Sequence, residues 1–177
     1  MPSWNSRGLR GSLLEEMINH TNDRYRREGL ALIQKIPTPI KPIEIDPTNR
    51  HITLAYFEQK STVDYIGVVQ GVPVCFDAKE CATDTFPVAN VHEHQMKFME
   101  EFEKQDGIAF LLLYFKKQDV FYYLTFESMK AFWQRARDGG RKSFRYEELD
   151  PHFQISTYDG VMIHYLDMLN QDLQGRE

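Results

Sequence analysis

The chain has 177 residues, 42% hydrophobic and 27% charged, with a net charge of −5; the size suits one domain with a substantial core, and the balance is ordinary for a soluble globular protein. Its longest apolar run, residues 108–115, is far short of the roughly 20 residues that a membrane-spanning helix needs, and the opening stretch MPSWNSRGLRGS lacks the apolar segment of a secretory signal. Two cysteines, Cys75 and Cys81, are no disulfide framework, so a reducing cytoplasm is the expected setting.

An acidic total argues mildly against nucleic-acid binding, but distribution matters more than the sum. Basic residues gather early (Arg7, Arg10, Arg24, Arg26, Arg27, Lys35, Lys41) and again over 135–145, whereas carboxylates gather over 93–103 and toward the C-terminus. An acidic outer surface is compatible with a basic groove.

In chain order, residues 1–11 read as a flexible arm in which Arg7 and Arg10 are set to meet phosphates. Ser12 and Glu15 form a capping box that opens a helix to about Glu28, stopped by Gly29. Residues 30–36 alternate enough to be a strand. Pro37, Pro39 and Pro42 then force an extended path, followed by two short strands at 43–46 and 51–58 around the turn Asp46-Pro47-Thr48-Asn49. With little apolar surface to bury, residues 37–60 are expected to stand off the body as a stalk.

Residues 61–80, STVDYIGVVQGVPVCFDAKE, read as a hairpin: two β-rich runs meet at Gln70-Gly71, where Gly71 supplies a positive φ. A two-residue loop puts Asp64 opposite Asp77 and Thr62 opposite Lys79, all four on one face. A three-residue loop would shift the register and break that relation. Opposed carboxylates ask for compensation, and an oxygen-only donor set with an ammonium beside it suits Mg²⁺ and a phosphate. An ordinary hairpin with charges on its wet face fits the spacing equally well.

Beyond the hairpin, residues 81–88 form a polar loop, and Asn90 with Glu93 marks a second cap, opening a helix over 91–104 with Gln95 in its first turns. Zinc held by Cys81, His92 and His94 lacks any CxxC pair and is not expected. A second hairpin spans 108–116 and 120–126, a helix 127–138 ends at Gly139-Gly140, and a basic loop exposes Arg141, Lys142 and Arg145. A last amphipathic helix covers 161–173. The order describes an α/β chain: a mixed central sheet flanked by helices.

Asp64 followed by Asp77-Ala78-Lys79 resembles the D…(D/E)-x-K signature of the PD-(D/E)XK nucleases. The blocks RGLRGSLLEEMINHTNDRY, KIPTPI, STVDYIG, FDAKE, FPVANVHEHQ, QDGIAF and GRKSFR stand in the order and spacing of the RecU Holliday junction resolvases, from about Arg7 to the last helix. The resemblance implies a single nuclease-like domain over 1–177 with a protruding stalk that probes the junction, Lys35 and Arg50 contacting DNA along with the arm. It implies catalysis by Asp64, Asp77 and Lys79, with Mg²⁺, or Mn²⁺ in its place, held by Thr62, Asp64, Asp77 and Gln95. The family usually carries Glu where Asp77 stands, and the shorter side chain implies weaker metal affinity or a preference for Mn²⁺. Also implied are a homodimer that makes paired symmetric nicks in four-way DNA, roles in recombination and repair, and contact with RecA-type recombinase and branch-migration proteins. Two other readings remain: a nuclease of other branched or duplex DNA, and a catalytically silent junction-binding protein.

Overall fold

The computed structural model describes residues 12–57, 62–158 and 162–176; the arm with Arg7 and Arg10, and the end of the expected stalk, lie outside them. Helix α1 (Leu13–Arg27) begins where Ser12 accepts a hydrogen bond from the Glu15 amide at 3.2 Å. Only half of the expected capping box forms, because the Glu15 carboxylate turns instead to Lys35, 2.6 Å away. Past Gly29, which takes the positive φ of 70° that ends helices, come strands β1 (Leu32–Lys35), β2 (Ile40–Ile45) and β3 (Ile52–Phe57).

Strands β2 and β3 form their own two-stranded sheet, and every residue in them except Ala55 is exposed. The two expected strands therefore form an exposed ribbon, the first starting three residues earlier than the proline rule suggested. Pro42 is accommodated because a two-stranded ribbon has a free outer edge that needs no donor, and the ladder slips on either side of Glu44. Arg50 sits at the stalk turn with φ 55°.

The body is a six-stranded mixed sheet in the order β1-β4-β5-β7-β8-β10, made with β4 (Tyr65–Val69), β5 (Val72–Cys81), β7 (Ile108–Phe115), β8 (Val120–Thr125) and β10 (Gln154–Ile155). Only β5 and β7 run parallel. They are joined by β6 (Thr85–Pro87), a 3₁₀ turn over Val88–Asn90 and helix α2 (Glu93–Glu103), a crossover of the kind that parallel pairs require. Helix α3 (Phe126–Arg137) is capped by Thr125, and β9 (Ser143–Arg145) pairs with β6. The region expected as a polar loop thus contains a strand. The final helix is also shorter than expected: Met162–Ile163 form a strand, β12, against β11 (Thr157–Tyr158), and α4 spans Tyr165–Gln174.

Period-two alternation splits the core in two. One face packs Phe76, Phe110, Leu112 and Tyr123 against α1 and α4; the other packs Cys75, Leu111, Leu113 and Phe115 against α2 and α3. On the first face Tyr65, Phe76, Phe110 and Tyr123 stack across four strands with ring centroids 4.3 to 4.7 Å apart. Both cysteines are free and buried. No helix among the described residues is long and apolar enough to cross a membrane.

Candidate active site

The site grows out of the β4–β5 turn. Gln70 and Gly71 both take positive φ, 47° and 93°, the type I′ geometry that matches the twist of paired strands. The two-residue loop sets Val69 opposite Val72 and, four pairs on, Tyr65 opposite Phe76. One step further the chains hold Asp64 and Asp77 together: the Asp64 amide donates to Asp77 Oδ1 at 3.2 Å, and the Ala78 amide donates to Asp64 Oδ2 at 2.9 Å. Thr62 is half-buried two residues before Asp64, beyond the end of the ladder, so strand pairing does not itself bring it opposite Lys79.

Asp77 is fully buried on the α2 side of the sheet. Its Oδ1 also accepts from the Gln95 amide nitrogen at 3.0 Å, and its Oδ2 meets Lys79 as an ion pair rather than through an aligned hydrogen bond. Burial, then the nearby Asp64 charge, pushes the Asp77 carboxyl up to about 7 despite the opposing Lys79. Lys79 remains 22% exposed, so its ammonium bridges the buried acid and solvent.

Gln95 reaches Asp77 because of how α2 starts. The N-cap is His92 rather than Asn90, and Asn90 instead closes the preceding 3₁₀ turn. That shift puts Gln95 at the third helical position, where its Oε1 accepts from the His92 amide at 3.0 Å while its nitrogen faces Asp77. His92 and His94 stack on each other, centroids 5.4 Å apart. No cluster of three or more His, Cys, Asp or Glu suited to a metal occurs among the described residues.

Glu80 was not singled out from the sequence. It lies on the opposite face of β5 from Asp77 and Lys79, accepts the Leu14 amide at the start of α1 at 3.0 Å, and pairs with Lys116. Alternation along Asp77-Ala78-Lys79-Glu80 was the available signal, because it turns residue 80 toward the helix. Of the residues expected at DNA, Lys35 pairs with Tyr65, next to Asp64, and the Ile36 amide donates to the Asp64 carbonyl at 2.8 Å, but the exposed Lys35 side chain turns to Glu15; Arg50 is exposed at the turn between β2 and β3.

The family model for recombination protein U matches residues 9–171. Among curated relatives, a Holliday junction resolvase RecU of a Geobacillus species is 41% identical over 81% of this chain and 73% of its own length. A protein of the same name from Bacillus licheniformis is 37% identical over 96% of this chain and 86% of its own. A solved structure of Hjc, a Holliday junction resolvase from Archaeoglobus fulgidus, aligns over 60% of this chain and 73% of its own with 7% identity and a TM-score of 0.33, a likeness too slight to support the fold, which the sheet order itself defines. Matched along most of its length by that family model and by relatives at about two-fifths identity, the chain belongs to the recombination protein U (RecU) family.

Proposed function

We propose that this chain is a metal-dependent endodeoxyribonuclease that resolves four-way (Holliday) DNA junctions by paired symmetric nicks during recombination and repair. The observation that carries the reading is the Asp64–Asp77 pair, locked by two backbone amides with Lys79 and Gln95 against it, in a chain of the RecU family. Two carboxylates around one ammonium leave an excess negative charge at a buried point. Burial first, and the Asp64 charge second, raise the Asp77 pKa. A hard cation would relieve the excess charge, and an all-oxygen donor set fits Mg²⁺, with Mn²⁺ as substitute.

Asp64 and Asp77 would hold the ion, with Thr62 and Gln95 completing its surroundings directly or through water. When bound, such an ion acidifies a water and offsets charge on the scissile phosphate. Gln95 fixes the Asp77 carboxylate by holding one oxygen, which leaves the other toward Lys79. The Lys79 ammonium, partly open to solvent, orients the attacking water or stabilises the charge that develops on the phosphate. Hydrolysis leaves a 5′-phosphate. Arg7, Arg10, Lys35 and Arg50 would contact DNA, Lys35 after leaving Glu15.

A four-way junction has two-fold symmetry, and a homodimer with one site per subunit would cut strands of like polarity. A cytoplasmic setting and contact with RecA-type recombinase and branch-migration proteins follow from the same reading. The decisive measurement uses a synthetic four-way junction beside linear duplex, with Mg²⁺ or Mn²⁺. Wild type is expected to nick the junction symmetrically, and Asp64→Ala to bind it without cutting. Cutting by Asp64→Ala at the wild-type rate, or no cutting by wild type with either ion, refutes the proposal.

A further inference from the structure

Strand β6 lies between the two elements that supply the site, β5 with Asp77 and Lys79 and α2 with Gln95. Its ladder partner β9 sets Arg145 opposite Thr85, Phe144 opposite Phe86 and Ser143 opposite Pro87. The inner side of this ribbon is firmly mounted. Phe86 and Phe144 are fully buried and stacked 5.0 Å apart, and Phe144 stacks on Phe132 of α3 at 4.3 Å.

Both ends are tied to the site. Cys81, in the same row of β5 as Asp77 and Lys79, donates its thiol to the Thr85 carbonyl at 3.2 Å. At the other end the Val88 amide donates to the Lys142 carbonyl at 3.0 Å, four residues before His92 caps α2. Arg145 is thus the ladder partner of Thr85, which in turn meets Cys81, two residues beyond Lys79 on β5.

The charges on the ribbon divide into two groups. Glu148 engages Arg135 at 2.6 Å and Arg141 at 3.6 Å, and Asp84 is taken by Lys117 at 2.7 Å. Lys142 and Arg145 are exposed and have no ion-pair partner among the described residues. Their backbone is held by the ladder, and Glu148 Oε1 accepts the Arg145 amide at 2.8 Å, but neither side-chain charge is in an ion pair among the described residues, in a chain of net charge −5. An exposed cation costs little to leave alone, but two on a fixed ribbon beside a phosphodiesterase site supply a ready phosphate contact.

We propose that Lys142 and Arg145 form a rail that holds the backbone of the DNA strand flanking the scissile phosphate. This rests on the nuclease reading above and adds the path of the substrate beyond the reacting bond. Phosphate contacts of this kind position DNA without reading its sequence.

The test compares wild type, Lys142→Ala/Arg145→Ala and the control Lys104→Ala, which changes an exposed lysine at the far end of α2. Binding to a fluorescent four-way junction is measured from 50 to 300 mM salt with Ca²⁺ in place of Mg²⁺, and nicking at saturating protein with Mg²⁺. The double variant is expected to bind about tenfold more weakly near 150 mM salt. Its log affinity against log salt should be shallower by about 2, one for each lost contact. Nicking at saturation and Mn²⁺ affinity should stay at wild-type levels, and Lys104→Ala should match wild type throughout. An unchanged salt slope in the double variant, or an equal loss in Lys104→Ala, overturns the rail while wild-type cutting leaves the nuclease reading intact. Failure of wild type to bind or cut any DNA overturns the nuclease reading itself.

Discussion

Asp77 is where burial and charge conflict most sharply in this protein, and the conflict predicts a pH dependence. In the folded chain its carboxyl titrates near 7, against 3.8 ordinarily. Between those values the folded state holds a proton that the unfolded state has released, so metal-free stability falls as pH rises from about 4 to about 7 and is flat above. Asp77→Asn removes the liability. In EDTA it is expected to unfold at higher urea than wild type at pH 8, by roughly 2 to 4 kcal/mol, with the gap closing toward pH 4; equal gaps at both pH values would contradict the raised pKa. Gln95→Ala removes the bond to Asp77 Oδ1 and the acceptor for the His92 amide. Mn²⁺ affinity, read by calorimetric titration, should drop about 10- to 100-fold, with a stability loss of about 1 to 2 kcal/mol.

At the scale of elements, the β4–β5 hairpin was legible from sequence because side-chain alternation and a two-residue turn leave few registers, and Gln70 accepts a positive φ despite lacking the preferred Asn or Asp. The start of α2 was legible only in part. Asn90 and Glu93 make as good a local pattern as His92 and Gln95, and the choice falls to the partner that Gln95 finds on β5. Strands β6 and β9 left a weaker trace still: three residues each are too few for a period, and burial of Phe86 and Phe144 against α3 decides them. Gly67 shows how tightly the edge of the sheet is built. A Cβ there would sit 2.2 Å from the Leu32 carbonyl oxygen and 2.7 Å from Ile33 Cα, both backbone of β1. Gly67→Ala should therefore cost about 1 to 3 kcal/mol and speed hydrogen exchange at Leu32–Lys35, while leaving β7 and β8 protected.

For the whole molecule, the stalk and the body are built on different physics. The body has an apolar core on each face of its sheet, whereas Ile43, Ile45, Ile52, Leu54 and Phe57 of the ribbon stay exposed. Replacing Ile40–Phe57 by a short Gly-Ser turn is expected to shift the melting temperature by only a few degrees, because little buried surface is lost. Under the proposed function the same deletion lowers discrimination between junction and duplex in a competition assay, and a large loss of stability would show instead that the ribbon supports the core.

The sequence by itself determined the helices with strong caps, the aromatic and aliphatic strands, and the facing of Asp64 toward Asp77, since these depend on neighbours within a turn or a hairpin. Only the tertiary structure decided which side of the sheet carries the acids, that α2 begins at His92 so that Gln95 meets Asp77, and that Glu15 takes Lys35. Those outcomes rest on contacts between residues 18 or more positions apart, whose energies come from burial and from partners that no local pattern specifies.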